Sequence, residues 1–209
     1  MITTELCAYT RAACDVARRC GVSRIELCSA PLEGGTTPSA ALLRYARSLG
    51  GVRLSVMIRP RGGDFLYTDD EVELMAAEIR FARECGADGV VLGLLTADGE
   101  VDVERTTCLV REAGPLEVTF HRAFDMVRDP QRALEALIAC GCRRVLTSGG
   151  RNTALEGIEQ LRALVARAAG RIEVMAGSGV NASNARLLAA TGVDALHFSA
   201  RCGSRTMSN

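Results

Sequence analysis

"RRCGVSRIELC" (18–28), "RECGADGVVLG" (83–93), "IACGCRRVLTS" (138–148) and "AATGVDALHFS" (189–199) are four copies of one plan. In each, a helix-like run ends in a small or thiol residue and a glycine, at 21, 86, 141 or 192, and an apolar strand follows. Glycine adopts the left-handed conformation that ends a helix, so each copy reads as a helix, a tight cap and a strand. A second series interleaves with the first: "SLGGVRLSVMI" (48–58), "EAGPLEVTFH" (112–121) and "AAGRIEVMAG" (168–177). With the opening "ITTELC" (2–7) the strands number eight, expected at 2–7, 24–28, 53–58, 88–92, 116–121, 143–147, 172–176 and 194–198. Amphipathic helical stretches lie between them.

Eight alternating units predict an α/β fold, a TIM-type (β/α)8 barrel, in a single domain over residues 1–209. An open doubly wound sheet would place a glycine-rich phosphate loop after the first strand, and "ELCAYT" (5–10) has no glycine. Only eleven residues follow the last expected strand, so the final helix is expected to be missing or truncated. Parallel sheets are covered on both faces, and a second copy of the chain, in a homodimer, would supply the cover.

Composition narrows the function. The 209 residues carry 25 basic and 25 acidic side chains, and a balance of this kind gives no footprint for nucleic acid. No stretch reaches the ~20 apolar residues of a membrane span and the first residues lack a signal-peptide core, so a cytoplasmic protein with no membrane partner is expected. All the basic charge is arginine. Without lysine, Schiff-base chemistry is excluded.

Strand alternation sorts the side chains. Ile25 and Leu27 share one face, Glu26 and Cys28 the other; Val118 and Phe120 oppose Thr119 and His121. If the apolar set meets the helices, the barrel interior receives Glu5, Cys7, Glu26, Cys28, Met57, Arg59, Thr119, His121, Met175, His197 and Ser199. Buried carboxylates require partners or a ligand.

The loops after the strands gather at the C-terminal mouth, where barrel active sites lie. "VTFHRAFD" (118–125) puts His121 at that rim, with Arg122 and Asp125 following. Glu26, His121 and Asp125 are therefore candidate acid/base residues, although "FDMVRDPQRA" is also rich in local turn chemistry. In "IRPRGGDF" (58–65) Arg59 and Arg61 could clamp a phosphate or carboxylate, with Asp64 beside them. Ser148, Gly177, Gly179 and Ser199 join the ligand-binding candidates, because loops seven and eight are the usual barrel anion site and Asn181 could cap the next helix. A small anionic molecule is one expected partner, and these residues leave open whether it is turned over.

The nine cysteines are odd in number and contain no CxxC, which points to free thiols. Cys20, Cys85 and Cys140 precede capping glycines and read as structural filling; Cys140 and Cys142 fall on the N-terminal face. Cys7 and Cys28, each ending an "ELC", are expected on adjacent strands ~4.8 Å apart. Two close thiolates could hold Cu(I), and two small hydrophobes at the barrel mouth would look the same in sequence.

The stretches "RIELCSAPLEGGTTPS", "IRPRGGDFLY", "VTFHRAFD" and "RVLTSGG" together make the chain resemble the CutC family, traditionally described as copper homeostasis proteins. The resemblance runs from "ELC" near the start to "HFSA" near the end. It implies a TIM barrel, a cytoplasmic location, association with copper and often a dimer. Family members usually continue for a further C-terminal segment.

Overall fold

A computed structural model describes residues 2–199. The order is β1 (Thr3–Ala8), α1 (Arg11–Arg19), β2 (Arg24–Leu27), α2 (Ala40–Ser48), β3 (Arg53–Met57), α3 (Asp69–Glu84), β4 (Gly89–Leu92), α4 (Val103–Ala113), β5 (Glu117–Phe120), α5 (Pro130–Cys140), β6 (Arg144–Thr147), α6 (Ile158–Ala168), β7 (Glu173–Ala176), α7 (Ala185–Ala189) and β8 (Ala195–Ser199). Short 3-10 turns at Pro31–Glu33 and Arg122–Met126 follow β2 and β5. All eight strands pair in parallel, each with the next, and β8 returns to β1, closing the barrel. The expected strands all form, and the TIM barrel stands. The segment that would hold a last helix lies outside the described residues.

Local chemistry explains the boundaries. The four repeat glycines have φ of +66°, +78°, +86° and +89° at 21, 86, 141 and 192, so each helix turns into its strand through a conformation that a side chain would strain. At its start, α3 carries a capping box: Thr68 accepts from the Glu71 amide and Glu71 accepts from the Thr68 amide. Asp129 caps α5, whose Pro130 occupies the first turn. The outward faces of the strands, including Ile25, Leu27, Leu54, Val56, Val118 and Phe120, are buried against the helices in one continuous core. Burial of this surface is the main stabilising term.

The inward faces are polar at the floor and at the mouth. At the floor Arg144 is fully enclosed: its Nε donates to Glu173 at 2.7 Å, Nη1 to Thr119 at 3.0 Å and Nη2 to Glu117 at 3.2 Å. Above it sit Leu146, Met175 and Ala195 on one side and Cys7, Cys28, Met57 and Val91 on the other. Cys140 and Cys142 are buried in the helix layer, with Cys140 Sγ 3.7 Å from the Val103 carbonyl.

Candidate metal-type site at the barrel mouth

Strands β1, β2 and β8 meet at the closure of the barrel and bring four potential ligands together. Cys7 pairs in register with Glu26, and on its other side with Ser199. Cys28 lies one inward step beyond Glu26, and its sulfur comes within 3.7 Å of Cys7 Sγ. Cys28 Sγ also lies 3.4 Å from Glu26 Oε2. From β8, His197 places Nδ1 2.8 Å from Glu5 Oε1 and Nε2 3.8 Å from Glu26 Oε2. Ligand atoms of Cys7, Glu26 and His197 all lie within 4.8 Å of one another. Beneath them Glu5 takes a short ion pair from Arg24, whose Nη2 lies 3.5 Å from Met175 Sδ.

The electrostatics follow from packing so many charges in a buried space. Burial opposes the charge on Glu5, but the hydrogen bond and charge of His197 together with Arg24 prevail and hold its pKa down to about 2. The two thiols cannot share a 3.7 Å separation as two anions. A hydrogen bond from Cys28 outweighs burial and, with His197, lowers Cys7 to about 4; Cys28 is itself pushed up, by burial first, and remains a thiol. Burial and the Cys7 charge raise the pKa of Glu26. For His197 burial disfavours the proton, yet Glu26, Cys7 and Glu5 together raise its pKa.

A cavity of about 540 Å³ opens above this cluster, lined by Cys7, Glu26, Arg59, Phe65, His121, His197 and Ser199 among others. His121 lines the same cavity as Glu26 and Arg59, yet the acidic side chains Glu5 and Glu26 are drawn to the other histidine. Nδ1 of His121 accepts from the Ala123 amide at 3.1 Å, while Nε2 is buried with no partner. Burial, then the Arg59 charge, depresses its pKa to about 3, so the ring is neutral.

The arginine pair is separated. Arg59 lines the cavity and donates to the carbonyls of Glu33, Gly35 and Gly63 at 2.5, 2.9 and 2.8 Å. Arg61 turns away to Glu71 at 2.5 Å and Asp64 at 3.1 Å, bracing the start of α3. Asp125 also lines the cavity, but its carboxylate is engaged by Arg122 Nε at 2.7 Å, Thr147 Oγ1 at 2.5 Å and the amides of Ser148 and Gly150 at 3.0 and 3.1 Å. It ties the loop after β6 to the turn after β5, and Ser148 is buried in that tie. Gly179 and Ser199 line the cavity, whereas Gly177 makes room beside Leu146 and His197. The N-cap position of α7 falls at Asn184, which makes no side-chain cap bond, and Asn181 instead accepts from the Ser183 amide in a local turn before the helix.

His197 and Arg24 carry much of this geometry and were not singled out as site residues from sequence. Alternation would have placed Arg24 beside Glu26 on the inward face, and His197 is one of only two histidines.

The fold and this cluster define a TIM barrel with a thiol, carboxyl and imidazole group at the C-terminal mouth. The chain belongs to the CutC family, whose model matches residues 2–202. It is 51% identical to a family protein CutC of Bacteroides thetaiotaomicron over 94% of this chain and 80% of that protein. It is 50% identical to the human "Copper homeostasis protein cutC homolog", over 94% of this chain and 72% of that one. The crystal structure of CutC from Streptococcus agalactiae superposes with a TM-score of 0.91 at 36% identity, over 97% of this chain and all (100%) of that one. An aldolase, QR15, superposes with a TM-score of 0.72 at 18% identity over 93% of this chain and 88% of that one, a likeness of fold alone.

Proposed function

We propose that the chain binds Cu(I) in the service of copper homeostasis, holding the ion with Cys7, Cys28 and His197, and with Glu26 beside them. The observation that supports the reading is the meeting of a low-pKa thiolate, a second sulfur 3.7 Å away and an imidazole nitrogen in one enclosed cluster. Soft thiolates and imidazole suit Cu(I). The names of the relatives concern copper homeostasis and agree with this reading. Among the described residues no helix is long and apolar enough to cross a membrane. A cytoplasmic homodimer is part of the proposal through the family resemblance.

The test is competition for Cu(I) against a chromophoric chelator under reducing, anaerobic conditions. Cys7→Ser/Cys28→Ser should lose tight binding, and Cys140→Ser/Cys142→Ser should keep it. The opposite pattern would move the ion to the N-terminal face.

A further inference from the structure

Cys7, His197 and Glu5 stand in an order that ion binding alone does not require. The Glu5 carboxylate lies 2.8 Å from His197 Nδ1, and an imidazole nitrogen of His197 lies within 4.8 Å of the Cys7 sulfur. A nucleophile, a base beside it and a third group orienting the base from behind form the arrangement of nucleophilic catalysis, and the first distance is often loose before substrate binds.

Exposure divides the cluster in the same way. Cys7, at 5% exposure, and His197, with 12% of its side chain exposed, line the cavity, whereas Glu5 and Cys28 are sealed at 0%. The two groups that would react therefore face the open space, and the group that would hold the base lies behind it. Tyr9 is two residues beyond Cys7 and half-buried at the same wall, where its hydroxyl faces the Cys7 sulfur. At about 540 Å³, with Met57, Phe65 and Leu146 in its lining, the cavity is the size of an organic-ligand site and far larger than one metal ion needs. The chain has no lysine, so a carbonyl compound held there cannot be captured as an imine, and sulfur is the nucleophile that remains.

We propose that the metal-free protein is a cysteine-dependent acyl hydrolase, acting on an ester or thioester of a small organic acid. The Cys7 sulfur forms a bond to the acyl carbon while the thiol proton resides on His197. The bond from that carbon to the alcohol or thiol then breaks, and His197 passes its proton to the leaving group. Water next gives a proton to His197 and its oxygen to the acyl carbon, releasing the carboxylic acid and restoring Cys7. One ester and one water thus yield one acid and one alcohol or thiol, with no change of oxidation state. Tyr9 stands where its hydroxyl can donate to the carbonyl oxygen as that oxygen gains charge. The activity shares Cys7 and His197 with the ion but does not rest on the copper reading.

The probe is 4-nitrophenyl acetate, offered to protein kept free of copper by a Cu(I)-selective chelator. Peptide mapping reads the acetyl group cysteine by cysteine, and Cys20 and Cys108, both exposed, are references within the same molecule. Despite its burial, Cys7 should be acetylated about tenfold faster or more than either reference, because only an activated thiol outruns an accessible one. More than one 4-nitrophenolate should be released per chain as water clears acetyl-Cys7. His197→Gln should slow Cys7 acetylation by about 100-fold or more. Glu5→Gln, which alters only the positioning of the ring, should lower kcat and leave KM unchanged. If His197→Gln unfolds the protein, the rate at Cys7 relative to Cys20 and Cys108 in the parent decides alone. Acetylation of Cys7 no faster than that of the exposed cysteines, an acetyl-Cys7 that water does not clear, or an unchanged rate in folded His197→Gln would overturn the proposal. The Cu(I) competition is read without ester and this assay without copper, so either reading can fail while the other stands.

Discussion

Nδ1 of His197 lies 2.8 Å from Oε1 of Glu5, a contact that spans 192 positions of sequence and sits on the seam where β8 meets β1. Donation of the Nδ1 hydrogen to the carboxylate fixes the ring and turns Nε2 toward Glu26 and Cys7. A carboxylate behind an imidazole ligand both orients it and increases its basicity. Glu5→Gln should therefore weaken Cu(I) affinity by about 10–100-fold although Glu5 is not itself a ligand. Chelator competition would check this, and unchanged affinity would remove Glu5 from the support of the site.

The proton held by His197 gives a second prediction. An imidazolium cannot ligate a metal, so binding must expel that proton. Calorimetry of Cu(I) transfer in two buffers of different ionisation enthalpy should show about two protons released per ion at neutral pH, one from His197 and one from the Cys28 thiol, which must ionise to ligate. Cys7, its pKa held near 4, should add none. Release of one proton or none would mean that His197 is already neutral, or that His197 or Cys28 is not a ligand.

His121 contributes a pH dependence of stability. Its pKa falls from 6.5 to about 3 on folding, so between these values the unfolded chain binds a proton that the folded chain refuses. The stability it confers is complete above 6.5 and is lost as the pH falls toward 3, by up to about 1.4 kcal/mol per pH unit. Urea unfolding between pH 7 and 4 should show a shallower slope for His121→Gln than for the parent. Equal slopes would show that the imidazole is not buried neutral.

Gly93 leaves the space that His121 occupies. A Cβ there would lie 2.4 Å from His121 Cε1 and 2.5 Å from Nδ1. Gly93→Ala should cost about 1–3 kcal/mol and displace the imidazole, breaking its bond from the Ala123 amide. Denaturant titration gives the cost, and the histidine nitrogen spectrum gives the displacement.

At the floor, Arg144→Met should remove one charge from a network that leaves Glu117 and Glu173 facing each other. The expected loss is about 3–5 kcal/mol, measurable as a lower urea midpoint. A variant as stable as the parent would show that water or Arg53 and Arg143, which also reach these two carboxylates, compensate.

The barrel was legible because its signals are local and repeated. Four glycines at helix ends and the alternation of each strand depend on short-range sterics, and the strands fall within a residue or two of where the pattern put them. The inward direction of Cys7, Glu26, Arg59, His121 and His197 was legible for the same reason. What alternation leaves undetermined is which inward group meets which. Glu5 and Glu26 could have served His121 or His197, and only closure of the barrel between β1 and β8 decides for His197. The arginines of "RPRG" looked like a pair. Arg59 ends an inward strand position while Arg61, two residues on, has passed into a loop where Glu71 of the next helix competes for it.

The polar floor makes this barrel a vessel with one opening. Arg144 and its partners, and above them Arg24 with Glu5 and Met175, fill the width between the strands, so nothing can be passed through the axis from one end to the other. Whatever arrives must depart by the way it came. A donor delivering an ion and an acceptor collecting it would have to visit the same rim in turn, the first withdrawing before the second can dock, and the time spent between visits is set by how firmly the cluster at the mouth holds on.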